Sequence, residues 1–162
     1  MIIRDAVAGD LAQIARFFRV IVAAGETYAY PENLDDQGIA ELWLERPPGR
    51  CVVAVSDQGI VLGSAKMGPN RPGRGSHIAT ASFMVDPAAQ GQGIGRALGE
   101  EAVRWAREQG FHGMQFNAVV ETNAAAVRLW QSLGFAIMTT IPEAFEHRRH
   151  GRVGLHVMYR RL

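Results

Sequence analysis

The stretch Phe83-Met84-Val85-Asp86-Pro87-Ala88-Ala89-Gln90-Gly91-Gln92-Gly93-Ile94-Gly95-Arg96 decides how this chain folds. An apolar run stops at Asp86-Pro87, a glycine cluster follows, and Ile94, Leu98, Ala102, Trp105 and Ala106 then recur at helical spacing until Gly110. The segment therefore reads strand, glycine loop, helix. The first amides of a helix have no intrahelical partner and sit at the positive end of its dipole. Glycines let those amides turn toward a ligand, so the loop is a candidate cradle for a pyrophosphate.

Spacing decides which kind of cradle this is. A nucleoside-triphosphate loop needs Lys-Ser or Lys-Thr after its last glycine, and Gly95 is followed by Arg96-Ala97. A dinucleotide loop reads Gly-x-Gly-x-x-Gly with an acidic residue about 20 positions on; here the third glycine comes one residue early and Gln115 occupies that region. What remains is Gln-x-x-Gly-x-Gly at Gln90, Gly93 and Gly95.

Working outward, Ile2-Ile3 predicts a short strand, and Asp10 with Leu11, Ile14, Ala15, Phe18, Ile21 and Val22 a capped amphipathic helix. A second helix is predicted from about Asp35 to Glu45, stopped by Pro47-Pro48-Gly49. Cys51 to Val55 and Ile60 to Met67 predict a hairpin, residues 68–75 a mobile Gly/Pro/Arg loop, and Ser76 to Val85 a third strand of the antiparallel set. Beyond the helix at Ile94, Met114 to Val120 predicts a strand and Asn123 caps a helix closed by Gly134. Phe135 to Ile141 and Val153 to Tyr159 predict two last strands around a polar loop. The order is β-α-α-β-β-β-α-β-α-β-β in one domain over residues 1–162, an α/β (α+β) mixed sheet of about seven strands.

Composition bounds the function. Seventeen basic residues against sixteen acidic give a net charge of +1, so no global field points to nucleic acid or an anionic membrane. No window approaches the ~18 apolar residues of a membrane span and the N-terminus lacks a secretory h-region, so the expected address is the cytoplasm. The single cysteine, Cys51, excludes an intrachain disulfide and a Cys-rich zinc site, and no metal is expected. Glycine is abundant, eighteen of 162 residues against an average of about 7%, which fits a chain that needs bare backbone somewhere.

Two blocks carry a family resemblance. Gln90-x-x-Gly93-x-Gly95, preceded by Phe83 to Pro87, resembles the acetyl-CoA loop of the GNAT superfamily of N-acetyltransferases. Asn123-x-x-Ala126-x-x-Leu129-Trp130-x-x-x-Gly134-Phe135 is similar to that family's other signature. The element order matches over essentially the whole chain. The resemblance implies a sheet splayed between the strand ending at Val85 and the strand Met114 to Val120, with pantetheine inserted like a missing strand. Backbone groups of Phe83, Met84 and Val85 then bond its amides, while Gln90, Gly91, Gln92, Gly93, Ile94, Gly95 and Arg96 hold the pyrophosphate. Asn123, Ala126 and Trp130 complete the implied acetyl-CoA site. A weaker likeness points to the branch that acetylates proline analogues such as azetidine-2-carboxylate.

For chemistry the resemblance implies attack by a neutral amine on a thioester, with a backbone N–H of Met84 or Val85 as oxyanion donor. This chain departs from the family at two places: Thr80 stands where a carboxylate base is usual, and Trp130 replaces the tyrosine acid. Asn117 is a candidate donor to the leaving thiolate, His77 a candidate base, and Glu26, Thr27, Tyr28, Tyr30 and Thr80 candidate acceptor contacts. The preferred reading is a site that positions an already weakly basic amine without a strong base of its own. The expectation is an acetyl-CoA-dependent N-acetyltransferase of a small amine or amino-acid-like compound, with a possible homodimer. Acetylation of protein or peptide amines, and a non-catalytic acyl-CoA sensor, are the alternatives.

Overall fold

The computed structural model describes all 162 residues. Seven strands form one sheet: β1 (Ile2–Asp5), β2 (Arg50–Val55), β3 (Val61–Pro69), β4 (Ile78–Val85), β5 (Gly113–Val120), β6 (Ala136–His147) and β7 (Gly151–Arg161), in the order β1-β2-β3-β4-β5-β7-β6. Four helices cover it: α1 (Leu11–Ala24), α2 (Asp36–Trp43), α3 (Ile94–Glu108) and α4 (Ala124–Ser132). Every pair is antiparallel except β4 with β5, where the α3 crossover returns the chain parallel.

Strand alternation puts a core on each face of the sheet. Val52, Ala54, Ala65, Ala79, Met114 and Phe116 meet Leu98, Ala102 and Trp130 of α3 and α4. On the other face Val53, Val55, Val61 and Met84 meet Ile14, Phe18, Ile39 and Trp43 of α1 and α2. Cys51 lies in this second core, where burial pushes its thiol up to about 11, so it stays protonated and inert.

The feature that positions the site is a broken pairing. β4 and β5 align only at Ile78↔Gly113 and Ala79↔Met114, and beyond that the strands diverge. On β5 the register with β7 shifts between Phe116 and Val119, which puts Asn117 and Ala118 in a bulge facing the opening.

Four expectations are corrected. β4 begins at Ile78, so His77 precedes the strand. Asp10 stands at the N-cap of α1, but its carboxylate makes no cap bond there and turns back to accept from the Val7 amide and Arg4. The second helix is shorter than expected, Asp36–Trp43, because Asp35 is its cap, accepting from the Gly38 amide. The last two strands extend to a tight turn at residues 148–150, with no long polar loop. Pro142, Glu143 and Ala144 form a bulge, with Glu143 at φ 54°, and pairing resumes at Phe145↔Val153. That bulge broke the alternation that a sequence reading relies on.

Candidate active site

The divergence of β4 and β5 opens a cleft of about 400 Å³. Its two ends are made differently. One is the glycine loop, where Gly91 and Gly93 adopt the left-handed conformation, at φ 80° and 78°. The helical ladder of α3 starts with the Ala97 amide on the Gly93 carbonyl, so the amides of Ile94, Gly95 and Arg96 precede the first helical bond. Ile94 contributes only its backbone, because its side chain is 1% exposed in the core. A Cβ on Gly93 would meet nothing within 4 Å, so the requirement there is conformational, whereas Gly95 lies under Leu129 and Val85. Asp86 anchors the loop: it is buried, accepts from the Ala88 amide and pairs with Arg16 of α1 at 2.5 Å.

β4 supplies the wall. Two outer bonds, Asp86 N–H to the Leu62 carbonyl and Asn70 N–H to the Ile78 carbonyl, fix which residues pair with β3. In an antiparallel ladder these alternate, so Ser82 and Met84 also spend their backbone groups on β3, while Ala81, Phe83 and Val85 present theirs to the cleft. Met84 is therefore no oxyanion donor and no partner for an amide; its side chain is 1% exposed in the core. Val85 and Phe83 hold the open edge.

The Phe83 edge is already occupied. The Tyr28 hydroxyl donates to the Phe83 carbonyl at 2.6 Å and accepts from the Phe83 amide at 2.9 Å. A ligand that pairs with that amide must displace the hydroxyl. Burial raises the pKa of Tyr28 and of Tyr30, so both stay neutral near pH 7. Their rings stack at 5.3 Å and, with Thr27, line the cleft.

The remaining expected residues separate into two groups. Thr80, Asn117, Gln90, Asn123, Ala126 and Trp130 all line the cleft. Asn123 also caps α4 by accepting from the Ala126 amide, and Trp130 packs on Phe83 with ring centroids 4.6 Å apart. The Asn117 amide donates to Asn70 at 2.7 Å and accepts from Gln115, so a ligand competes with Asn70 for its N–H. Gln92 is exposed on the loop, and Arg96 is held by Ser132 and Glu100.

Two expected residues fall outside the cleft. His77 lies beyond the far end of β4, its ring 6.4 Å from that of His112; six residues of strand put it about 20 Å from Phe83. Glu26 is turned to Arg149 at 2.7 Å. Sequence reasoning missed Ser82, which shares the Thr80 face at strand spacing, and Phe145 and Leu155, delivered from the last hairpin. A period-2 count from Thr80 finds Ser82; no local signal finds Phe145.

None of the 22 residues lining the cleft is Asp, Glu, Lys, Arg or His. The arrangement offers a thioester an open strand edge, a diphosphate a set of free amides, and an amine neutral walls with no base.

The family model for the acetyltransferase (GNAT) family matches residues 15–135. The chain belongs to that family. This GNAT chain is 32% identical over 145 residues to L-amino acid N-acyltransferase MnaT of Escherichia coli, covering 88% of this chain and 84% of that protein. It superposes on a GCN5-related N-acetyltransferase from Kribbella flavida with a TM-score of 0.97 and 56% identity, covering 99% of this chain and 97% of the other. A GNAT phosphinothricin acetyltransferase from Sinorhizobium meliloti, solved in complex with AcCoA, gives 0.88 and 28% identity over 99% of this chain and 88% of the other. Two longer relatives match over one part only. N-acetyltransferase aca1 of Schizosaccharomyces pombe is 34% identical over 103 residues, 64% of this chain and 49% of that protein. Protein SPT10 of Saccharomyces cerevisiae is 34% identical over 83 residues, 51% of this chain and 13% of its own length. The chain thus spans about half of the first of these and much less of the second.

Proposed function

We propose that this GNAT chain transfers the acetyl group of acetyl-CoA to the amine of a small molecule or amino-acid-like compound by direct attack. The observation that carries the reading is the open β4 edge running into the glycine loop, in a fold shared with an enzyme solved with AcCoA. MnaT and phosphinothricin acetyltransferase are small-substrate enzymes by name, which supports a small acceptor.

The residues divide the work as follows. The amides from Gly91 to Arg96 bind the pyrophosphate, helped by the positive end of α3. Phe83 N–H, once the Tyr28 hydroxyl moves aside, stabilises the oxyanion as the amine adds to the carbonyl, while Val85 N–H, about 6.6 Å along the open edge toward the glycine loop, is left for a pantetheine carbonyl. A C–N bond forms, the C–S bond breaks, and the thiolate leaves. A thiol with pKa near 8.5 departs without a proton donor, so Trp130 in place of a tyrosine costs little. The amine arrives neutral, having lost its proton to water, because the cleft holds no carboxylate or imidazole to take it.

Calorimetric titration of acetyl-CoA into wild type and Gly93→Val tests this. A β-branched residue cannot hold φ 78° without strain, so affinity is expected to fall at least tenfold while the fold is retained. Unchanged affinity removes the glycine loop from the reading.

The reading includes a cytoplasmic homodimer. Supporting the dimer is the edge strand β6, which exposes Ile137, Met138 and Ile141 on an unpaired edge. Light scattering on the purified protein is expected to give twice 17.7 kDa; a monomer at micromolar concentration contradicts it.

A further inference from the structure

No charged side chain lines the cleft, and most of the charges around its acceptor end are paired with one another. Lys66, which pairs in register with Ser82, donates to the Leu42 carbonyl at 2.5 Å and lies 3.4 Å from Glu45. Arg148 and Arg149, at the tip of the β6–β7 hairpin, pair with Glu32 and Glu26 of the acceptor loop. Arg16 pairs with Asp86. Arg71, next to Asn70 at the rim, donates to the Asn70 carbonyl and folds its aliphatic stem over Gly75. The polar side chains inside the cleft are all neutral and include Thr27, Thr80, Ser82 and Asn117, and the walls include the stacked Tyr28 and Tyr30 with Ile21 and Phe145.

We propose, on the basis of the acetyltransferase reading, that the acceptor is a primary amine on an uncharged, apolar or aromatic body: an arylalkylamine, or an amino acid whose carboxyl is masked as an amide or ester. A free α-carboxylate entering this cleft loses water and finds no cation, an arrangement that discriminates steeply against it. An aromatic body stacks on the tyrosine pair instead. The amine itself enters uncharged and needs no carboxylate to hold it. This separates the chain from MnaT, the relative named for L-amino acids, to which it is 32% identical.

The test is thiol release from acetyl-CoA with acceptors paired so that only the carboxylate differs. Phenethylamine is set against phenylalanine and methioninamide against methionine, with azetidine-2-carboxylate as a further carboxylate. Amine basicity runs in opposite directions in the two pairs: phenethylamine is more basic than phenylalanine, methioninamide less basic than methionine. A preference for the carboxylate-free member in both pairs therefore reports the carboxylate alone. The expected kcat/KM ratio is at least about tenfold in each pair. In Thr80→Arg, which puts a guanidinium at the acceptor end, the ratio for phenethylamine over phenylalanine is expected to fall at least about tenfold. Equal or better turnover of the free amino acids overturns the proposal and leaves the acetyltransferase reading standing. No release with any acceptor, in protein that binds acetyl-CoA, overturns both.

Discussion

Tyr28 and Phe83 are the two residues on which the chemistry of the cleft turns. The hydroxyl that bridges the Phe83 amide and carbonyl satisfies the open edge of β4 at that residue. An incoming thioester carbonyl must replace it. Tyr28→Phe leaves those backbone groups without their partner in the empty protein, which costs about 1–3 kcal/mol, but removes a competitor for acetyl-CoA. Thermal unfolding is therefore expected to show a large loss of Tm in the empty variant that acetyl-CoA largely restores, with tighter acetyl-CoA binding than wild type. An equal loss with and without acetyl-CoA would mean that the hydroxyl is not displaced. At this scale legibility depended on reach. Asn123 was readable as a cap because its acceptor lies three residues away, whereas the partner of Tyr28 is 55 residues distant. His77 was misplaced because nothing local marks where a strand begins after a loop of Gly and Pro.

At the scale of elements, α3 is the member on which the rest depends. Its N-terminus leaves the amides of Ile94, Gly95 and Arg96 outside the helical ladder beside the glycine loop, and its middle is locked to the sheet and to α4. Gly99 lets α4 approach so closely that an added Cβ would lie 2.7 Å from Leu133 and 2.9 Å from Trp130, which sets the depth of the cleft wall. Glu101 ties α3 to β2 through Arg50 at 2.7 Å and to its own next turn through Arg104. Burial opposes ionisation of Glu101, but hydrogen bonds from Arg104 and Arg50 outweigh it and hold the carboxyl below the usual range. Asp10 is likewise held low, chiefly by its hydrogen bond from Arg4. Both carboxyls have a lower pKa folded than unfolded, where values are near 3.9 for Asp and 4.3 for Glu. Their contribution is thus present above about pH 4.5 and lost as the pH falls through the depressed folded values. The Tm is expected to be flat near neutrality and to drop below about pH 4, and Glu101→Gln to lower it at pH 7 by about 2–4 °C per kcal/mol removed while making the acid drop shallower. An acid drop as steep in Glu101→Gln as in wild type rules out that role. The strand-loop-helix unit was legible because period-2, glycine and period-3.6 signals adjoin in sequence. The β6–β7 hairpin was not, because the bulge at Pro142–Ala144 interrupts the alternation while the pairing continues beyond it.

Across the whole molecule, one local failure of pairing between β4 and β5 makes the site, and everything else holds the two halves of the sheet in place around it. The family pattern foretold this splay, and Thr80, which carries no carboxylate, lines the cleft that it opens. The neutrality of the entire cleft was not foretold, since it depends on which long side chains turn toward one another, as Glu26 does toward Arg149. In the proposed reading the consequence reaches the reaction: with no acid or base lining the cleft, the acceptor loses its proton to water, and the pH dependence belongs to the amine. The direct measurement is kcat/KM against pH for a series of primary amines of graded basicity, followed by thiol release from acetyl-CoA. The account predicts release whose inflection moves with the pKa of each amine, and a fixed inflection near neutrality common to every amine would contradict it.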